Sequence, residues 1–236
     1  MSAPRCGWSG AWSAPSLRGV LLDSIDWLGH SGFRIRVGRA VVYIDPYRVP
    51  DGSPPADLIL VTHGHYDHFS PQDVERLSTR RTWLVGPAAV AERVSGQVHS
   101  IAPGEQLDDE LVRGVHVAAV AAYNTSKRDA EGKVFHPREA GWVGYELNLR
   151  GQRLYHSGDT DVIPEMDTVT GVDVALLPVS GVYVMTSQEA AEAARRIQPR
   201  VAVPMHWGEN VGTLEDARAF AAKAPVEVRI LEKAAA

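Results

Sequence analysis

The chain has 236 residues, 24 Lys and Arg against 29 Asp and Glu, a net charge of -5 and a single cysteine. That length buries a substantial core, the acidic balance argues against a nucleic-acid partner, and one cysteine excludes both an internal disulfide and a cysteine-built zinc site. No apolar run reaches the ~18 residues of a membrane helix, so no membrane partner is expected. Residues 1–20 lack the continuous apolar stretch of a secretory signal and read as a loosely ordered extension. Together with the scarcity of cysteine this suggests a cytoplasmic protein. Residues 21–236 then read as one domain.

Ser24 to Val37 and Ala40 to Asp45 read as a hairpin around Gly38-Arg39. A loop rich in Pro, Gly and Asp follows from Pro46 to Pro55. Asp57 to Thr62 is nearly continuously apolar, the pattern of a strand buried on both faces. Ser70 then caps a helix running to about Ser78, with Pro71 at its first position and Asp73 closing a capping box. Trp83 to Gly86 reads as a strand and Pro87 to Val94 as a short helix. Further strands are expected over Val98 to Ile101, Glu105 to Leu107, Val112 to Ala121, Trp142 to Leu149, Arg153 to His156, Val174 to Pro178 and Val201 to Pro204. Thr186-Ser187-Gln188-Glu189 opens an Ala-rich helix ending near Ile197. Thr213 starts a last helix, and Val226 to Leu231 forms a last strand. This order implies layered sheets covered by helices rather than a helical bundle. Asn124 to Arg138 is one long polar loop, a place where function often sits.

Three of the nine histidines fall within six residues, in His63-Gly64-His65-Tyr66-Asp67-His68. They lie just past a buried strand, where the chain emerges at the rim of a sheet. Positions 63 and 65 point the same way while the backbone is extended. Asp67 and His68 sit where it turns into the capped helix. Imidazole and carboxylate together suit zinc and similar divalent metals. A solvated loop that merely contains three histidines is the alternative, and the strand before them and the cap after them argue against it.

This segment resembles the H-x-H-x-D-H signature of the metallo-β-lactamase superfamily. Tyr155-His156-Ser157-Gly158-Asp159-Thr160-Asp161 resembles the superfamily's strand-end Gly-Asp element, and Val203-Pro204-Met205-His206-Trp207-Gly208 its terminal histidine. Trp27-Leu28-Gly29-His30-Ser31 and Ile44-Asp45-Pro46 resemble the first hairpin of a branch of small metal-dependent hydrolases that includes relatives of the ascorbate phosphate lactonases. The resemblance covers roughly residues 24–232. It implies a four-layer αββα sandwich. His63 and His65 would bind a first metal, Asp67, His68 and His206 a second, and Asp159 would bridge them. It further implies one or two divalent transition ions, zinc first, with manganese, iron or nickel as alternatives.

The implied chemistry is hydrolysis of an ester, lactone or phosphodiester bond of a small molecule by metal-bound hydroxide. Asp67 would orient or deprotonate the attacking water as well as bind metal. Other readings are a metal-binding scaffold or sensor without turnover and, within the fold, a nuclease. A homo-oligomer is compatible with all of them.

One histidine of the superfamily pattern is missing. After the strand ending at Ala121 the chain reads Ala122-Tyr123-Asn124-Thr125. Asn124, His136 from the long loop, or a water is left to fill that place. His30 is expected beside the site. Tyr183 is either a substrate-polarising group or a rim aromatic, and Tyr66 is equally ambiguous. Lys127, Arg128, Lys133 and Arg138 either bind an anionic substrate group or form a solvated face, the second reading being favoured. His156 reads as a packed strand residue.

Overall fold

The computed structural model describes residues 21–107 and 110–235, so the expected extension at 1–20 lies outside the described residues. The chain builds two six-stranded sheets. The first contains β1 (Ile25–Gly29), β2 (Gly32–Val37), β3 (Ala40–Ile44), β4 (Leu58–Leu60), β5 (Trp83–Gly86) and β6 (Gln97–Ser100), side by side in chain order. The second contains β7 (Val115–Ala121), β8 (Val143–Leu149), β9 (Gln152–His156), β10 (Val174–Pro178), β11 (Val201–Met205) and β12 (Glu227–Val228), again in chain order. In each sheet the first three strands are antiparallel and the later ones join in parallel. The two halves therefore share one topology, although no repeat is visible in the sequence.

The sheets pack face to face. Phe33, Ile35, Leu58, Leu60 and Val85 meet Val117, Tyr145, Leu147 and Leu176 in one buried cluster. The Tyr145 hydroxyl crosses this layer and donates to the carbonyl of Val61 at 2.8 Å. In β4 the pleat sends Leu58 and Leu60 to that core and Ile59 to the opposite face. There Ile59 packs with Phe69, Val74 and Leu77 around α1 (Pro71–Leu77) and with Val90 of α2 (Ala88–Ala91). On the far side, α3 (Ser187–Ile197) lies against β10 and α4 (Leu214–Lys223) against β11. The buried Ala190, Ala191, Ala193 and Ala194 let α3 approach closely. The result is the four-layer αββα sandwich that the resemblance implied.

Several boundaries differ from expectation. Ser24 to Val37 is two strands, because Gly29 (φ +105°) and His30 (φ +50°) turn the chain sharply between β1 and β2. Thr186 and Thr213 cap α3 and α4 with reciprocal capping boxes, whereas Ser70 caps α1 without one. The Asp73 carboxylate accepts the Arg48 backbone N–H at 2.9 Å instead. The segment at Glu105 to Leu107 contributes a single bridge, Gln106 to Ala118, and the last strand shrinks to Glu227–Val228. A short 3-10 helix, Pro164–Val169, was not foreseen. No helix of the described residues is long and apolar enough to cross a membrane.

Candidate metal centre

The carboxyl ends of β4, β9 and β11 open at one edge of the sandwich, where α/β architectures place their ligands. His63 to His68 leave β4, Asp159 leaves β9, and His206 leaves β11. Gly158 makes the turn to Asp159 at φ +63°, where an added Cβ would lie 2.7 Å from the Val143 carbonyl. His206 (φ +60°), Asp45 (φ +46°) and His30 all sit in the left-handed region, a backbone cost concentrated at this edge. Trp27 stacks on Trp207 at 4.6 Å, and the His206 backbone N–H donates to the His30 carbonyl at 2.8 Å. This contact fastens the β1–β2 turn to the end of β11.

The Asp159 carboxylate lies at the centre. Its Oδ2 is 3.1 Å from His206 Nε2, 3.2 Å from His136 Nε2 and 3.9 Å from His63 Nε2, and its Oδ1 is 3.3 Å from His68 Nε2. Around it, donor atoms within 4.8 Å of one another fall into three overlapping groups: His30, Asp67, His68 and His206; His63, His65 and His136; and His63, His68 and Asp159. The structure thus brings together every residue that the motif comparison nominated. It also settles where the alternatives stand. His136 is buried beside His63 and His65, with ring centroids 5.3 and 5.2 Å away, and Asn124 lies behind it. His30 is fully buried, its Nε2 3.0 Å from Asp67 Oδ2.

Four of the imidazoles have a partner behind them. His68 Nδ1 lies 2.7 Å from Asp45, His63 Nδ1 3.0 Å from Thr62 Oγ1, His136 Nδ1 2.7 Å from Asn124 Oδ1, and His206 Nδ1 3.0 Å from Ser180 Oγ. Such partners turn the opposite nitrogen toward a metal. Asp45 was not nominated from the sequence. Its signal was a carboxylate at a strand end before proline, buried at the β3 terminus and also accepting the N–H and hydroxyl of Thr62 at 2.8 and 2.7 Å.

Charge is arranged to match. Burial alone would raise the Asp159 carboxyl, but the neighbouring His206 and His68 hold it well below the usual carboxylate range. Burial likewise disfavours charge on His68, yet Asp159 and Asp45 on either side raise it well above an ordinary imidazole. His63 goes the other way, pushed well down chiefly by burial and by the neighbouring His68. Asp67 is opposed by burial but held at about 2, mainly by His30.

The donor set fits divalent metal. His68 Nε2, His136 Nε2 and Asp159 Oδ1 are buried and make no hydrogen bond among the described residues, and both imidazole nitrogens face the Asp159 carboxylate at 3.3 and 3.2 Å. Unsatisfied buried polar atoms are costly. Their convergence, and the imidazole–carboxylate chemistry, suit zinc-like cations.

Other nominated residues lie around the rim. Tyr66 is 68 % exposed and Tyr183 38 %, its ring edge-on to Phe135 at 4.8 Å. Lys127 pairs with Glu189 at 2.8 Å and Arg138 with Glu165 at 2.8 Å. His156 is a packed strand residue, as expected. Its Nε2 donates to the Ser31 carbonyl at 2.9 Å while its Nδ1 accepts the Gly158 N–H.

Comparison with known proteins agrees with this architecture. A family model described as a beta-lactamase superfamily domain matches residues 24–206. A UPF0173 metal-dependent hydrolase from Methanopyrus kandleri is 33% identical over 230 residues, covering 88% of this chain and 96% of that protein. Another from Symbiobacterium thermophilum is 32% identical over 220 residues, covering 84% and 90%. Among solved structures, a chain from Parabacteroides distasonis assigned as a metal-dependent hydrolase superposes with a TM-score of 0.76 at 31% identity, covering 89% of this chain and 93% of its own. The matching family model, the shared fold and the near full-length similarity place the chain in the metallo-β-lactamase superfamily, within its family of UPF0173 metal-dependent hydrolases.

Proposed function

We propose that the protein hydrolyses a neutral ester or lactone of a small molecule, using two zinc-like ions. His63, His65 and His136 would hold one, His68, Asp67 and His206 the other, with Asp159 between them. The observation that carries this reading is the Asp159 carboxylate, buried within 3.1–3.9 Å of four imidazoles drawn from both sheets. Metal bound there would polarise the scissile carbonyl and acidify a water.

The protein's own groups have distinct tasks. Asp67, held at about 2, stays ionised at any working pH. It is therefore a weak base, suited to orienting the attacking water by accepting its hydrogen bond rather than to storing its proton. His30 fixes Asp67 from behind the site at 3.0 Å. Tyr66, Val182 and Tyr183 form an exposed apolar rim for the substrate's carbon skeleton. Lys127 and Arg138 of the long loop are already paired with Glu189 and Glu165. This favours a neutral acyl substrate over a phosphodiester. The scaffold reading drew its ground from the missing histidine, and His136 beside His63 and His65 supports hydrolysis over it.

The test couples metal analysis of the purified protein to a hydrolysis screen over lactones, carboxylic esters, thioesters and phosphodiesters. The expected result is close to two equivalents of transition metal and chelator-sensitive turnover of lactones or esters. Fewer than about half an equivalent of metal would defeat the two-ion proposal, and turnover confined to phosphodiesters would defeat the substrate class.

A further inference from the structure

Asn124 follows the end of β7, where the superfamily pattern has a histidine, yet its amide does not join the ligand atoms. Its Oδ1 accepts two N–H groups from His136, the backbone N–H at 3.0 Å and the ring Nδ1–H at 2.7 Å. Its Nδ2 donates to Asp161 Oδ1 at 3.1 Å and to the Tyr183 carbonyl at 3.0 Å. A backbone N–H can only donate and a backbone carbonyl can only accept, so these partners fix which way the amide faces. The ring nitrogen beside an amide oxygen must then carry the proton. In the neutral imidazole, the form that binds metal, the lone pair is then on His136 Nε2, which is buried and 3.2 Å from Asp159 Oδ2.

Asp161 anchors the arrangement. Its Oδ2 accepts the backbone N–H groups of Thr125 and Ser126, both at 2.8 Å, and their hydroxyls at 3.1 and 3.0 Å. Asp161 lies two residues after Asp159 in the same turn. One turn therefore places the central carboxylate and, through Asn124, the histidine that meets it.

Resting on the reading that His136 is a metal ligand, we propose that Asn124 and Asp161 are a positioning pair. They deliver His136 from the long loop as a preorganised ligand with its Nδ1 protonated, in place of a histidine carried directly by the strand end. Without the pair His136 would have to be ordered and its tautomer selected at the moment of metal binding, which weakens that binding.

Zinc stoichiometry and chelator-competition affinities of both ions in wild type, Asn124→Ala, Asn124→Asp and the exchange Asn124→Asp/Asp161→Asn test this. In Asn124→Ala one ion should weaken by about 10- to 100-fold while the other stays within about threefold. Asn124→Asp sets two carboxylates against each other and should weaken the same ion. The exchange restores one carboxylate and one amide across that contact, and should recover about tenfold over the single variant despite losing the donor to the Tyr183 carbonyl. Unchanged affinities in Asn124→Ala, equal weakening of both ions, or an exchange no better than Asn124→Asp would each overturn the proposal. A wild type that binds one ion, or a His136→Ala variant that keeps both ions at wild-type affinity, would instead overturn the ligand reading and the pair with it.

Discussion

The first half of the chain brings His63, His65, Asp67 and His68 to the site on one turn between β4 and α1, whereas the second half brings His136, Asp159 and His206 from three separated places. Both halves run through the same strand pattern. The contiguous segment needs one strand, one turn and one helix cap to present four candidate ligands. The dispersed set needs the register of β9, β10 and β11, the clip on the long loop and the Trp27–Trp207 stack. Backing partners differ in kind from one imidazole to the next rather than from half to half, for Thr62 gives His63 a hydroxyl too. His68 rests on the Asp45 carboxylate, His206 on the Ser180 hydroxyl. One half is organised locally, and the other only by the finished fold.

The strongest way to break this contrast is Asp159→Ala. It removes the group shared by both halves, so both ions and at least about 10³-fold of hydrolytic rate should be lost. Metal analysis and single-turnover kinetics check this, and a variant retaining two ions would refute the central role of the carboxylate. A smaller effect should separate the backing partners. Asp45→Asn should weaken the ion shared by His68 and His206 by about 10- to 100-fold, while Ser180→Ala should weaken that same ion by less than about tenfold, since a hydroxyl polarises imidazole less than a carboxylate does. Equal losses in chelator competition would erase the distinction between the carboxylate and the hydroxyl as backing groups.

The smallest effect concerns pH. His68 is raised between Asp45 and Asp159, so its charged form stabilises the metal-free fold below about 6.5. That contribution is lost as pH rises from about 6.5 through the raised folded value. His63 is depressed by burial, so its contribution is present above about 6.5 and lost as pH falls below it. Urea unfolding of chelated protein should therefore show stability declining above pH of about 6.5, by at most about 1.4 kcal/mol per pH unit for one proton. Metal-loaded protein should lack that decline, because ligand deprotonation favours binding. His68→Gln should flatten the alkaline limb of the chelated protein. A decline that survives this substitution would assign it to another group.

Much of the local organisation was legible in the sequence. The buried character of β4 and β10 followed from apolar runs, the starts of α3 and α4 from Thr186 and Thr213, and the first-half cluster from its spacing. The β1–β2 break was missed because Gly29-His30 lies within an alternating apolar pattern, and a left-handed histidine leaves no mark in composition. Asp45 was missed because its partner His68 is 23 residues away. The claimant to the vacant histidine place stayed undecided between Asn124, His136 and water for the same reason: sequence distance says nothing about which side chain a loop folds inward.

By itself, the sequence determined what depends on neighbours along the chain: layered sheets covered by helices, the helix caps, and the segment His63 to His68 as a metal-type cluster, while the four-layer sandwich followed from the family resemblance. Only the tertiary structure decided that His136 stands beside His63 and His65 with Asn124 behind it, that His30 meets Asp67, and that Asp159 lies between four imidazoles. Those relations span two sheets, and their distances come from inter-sheet packing and parallel register, which no local pattern encodes.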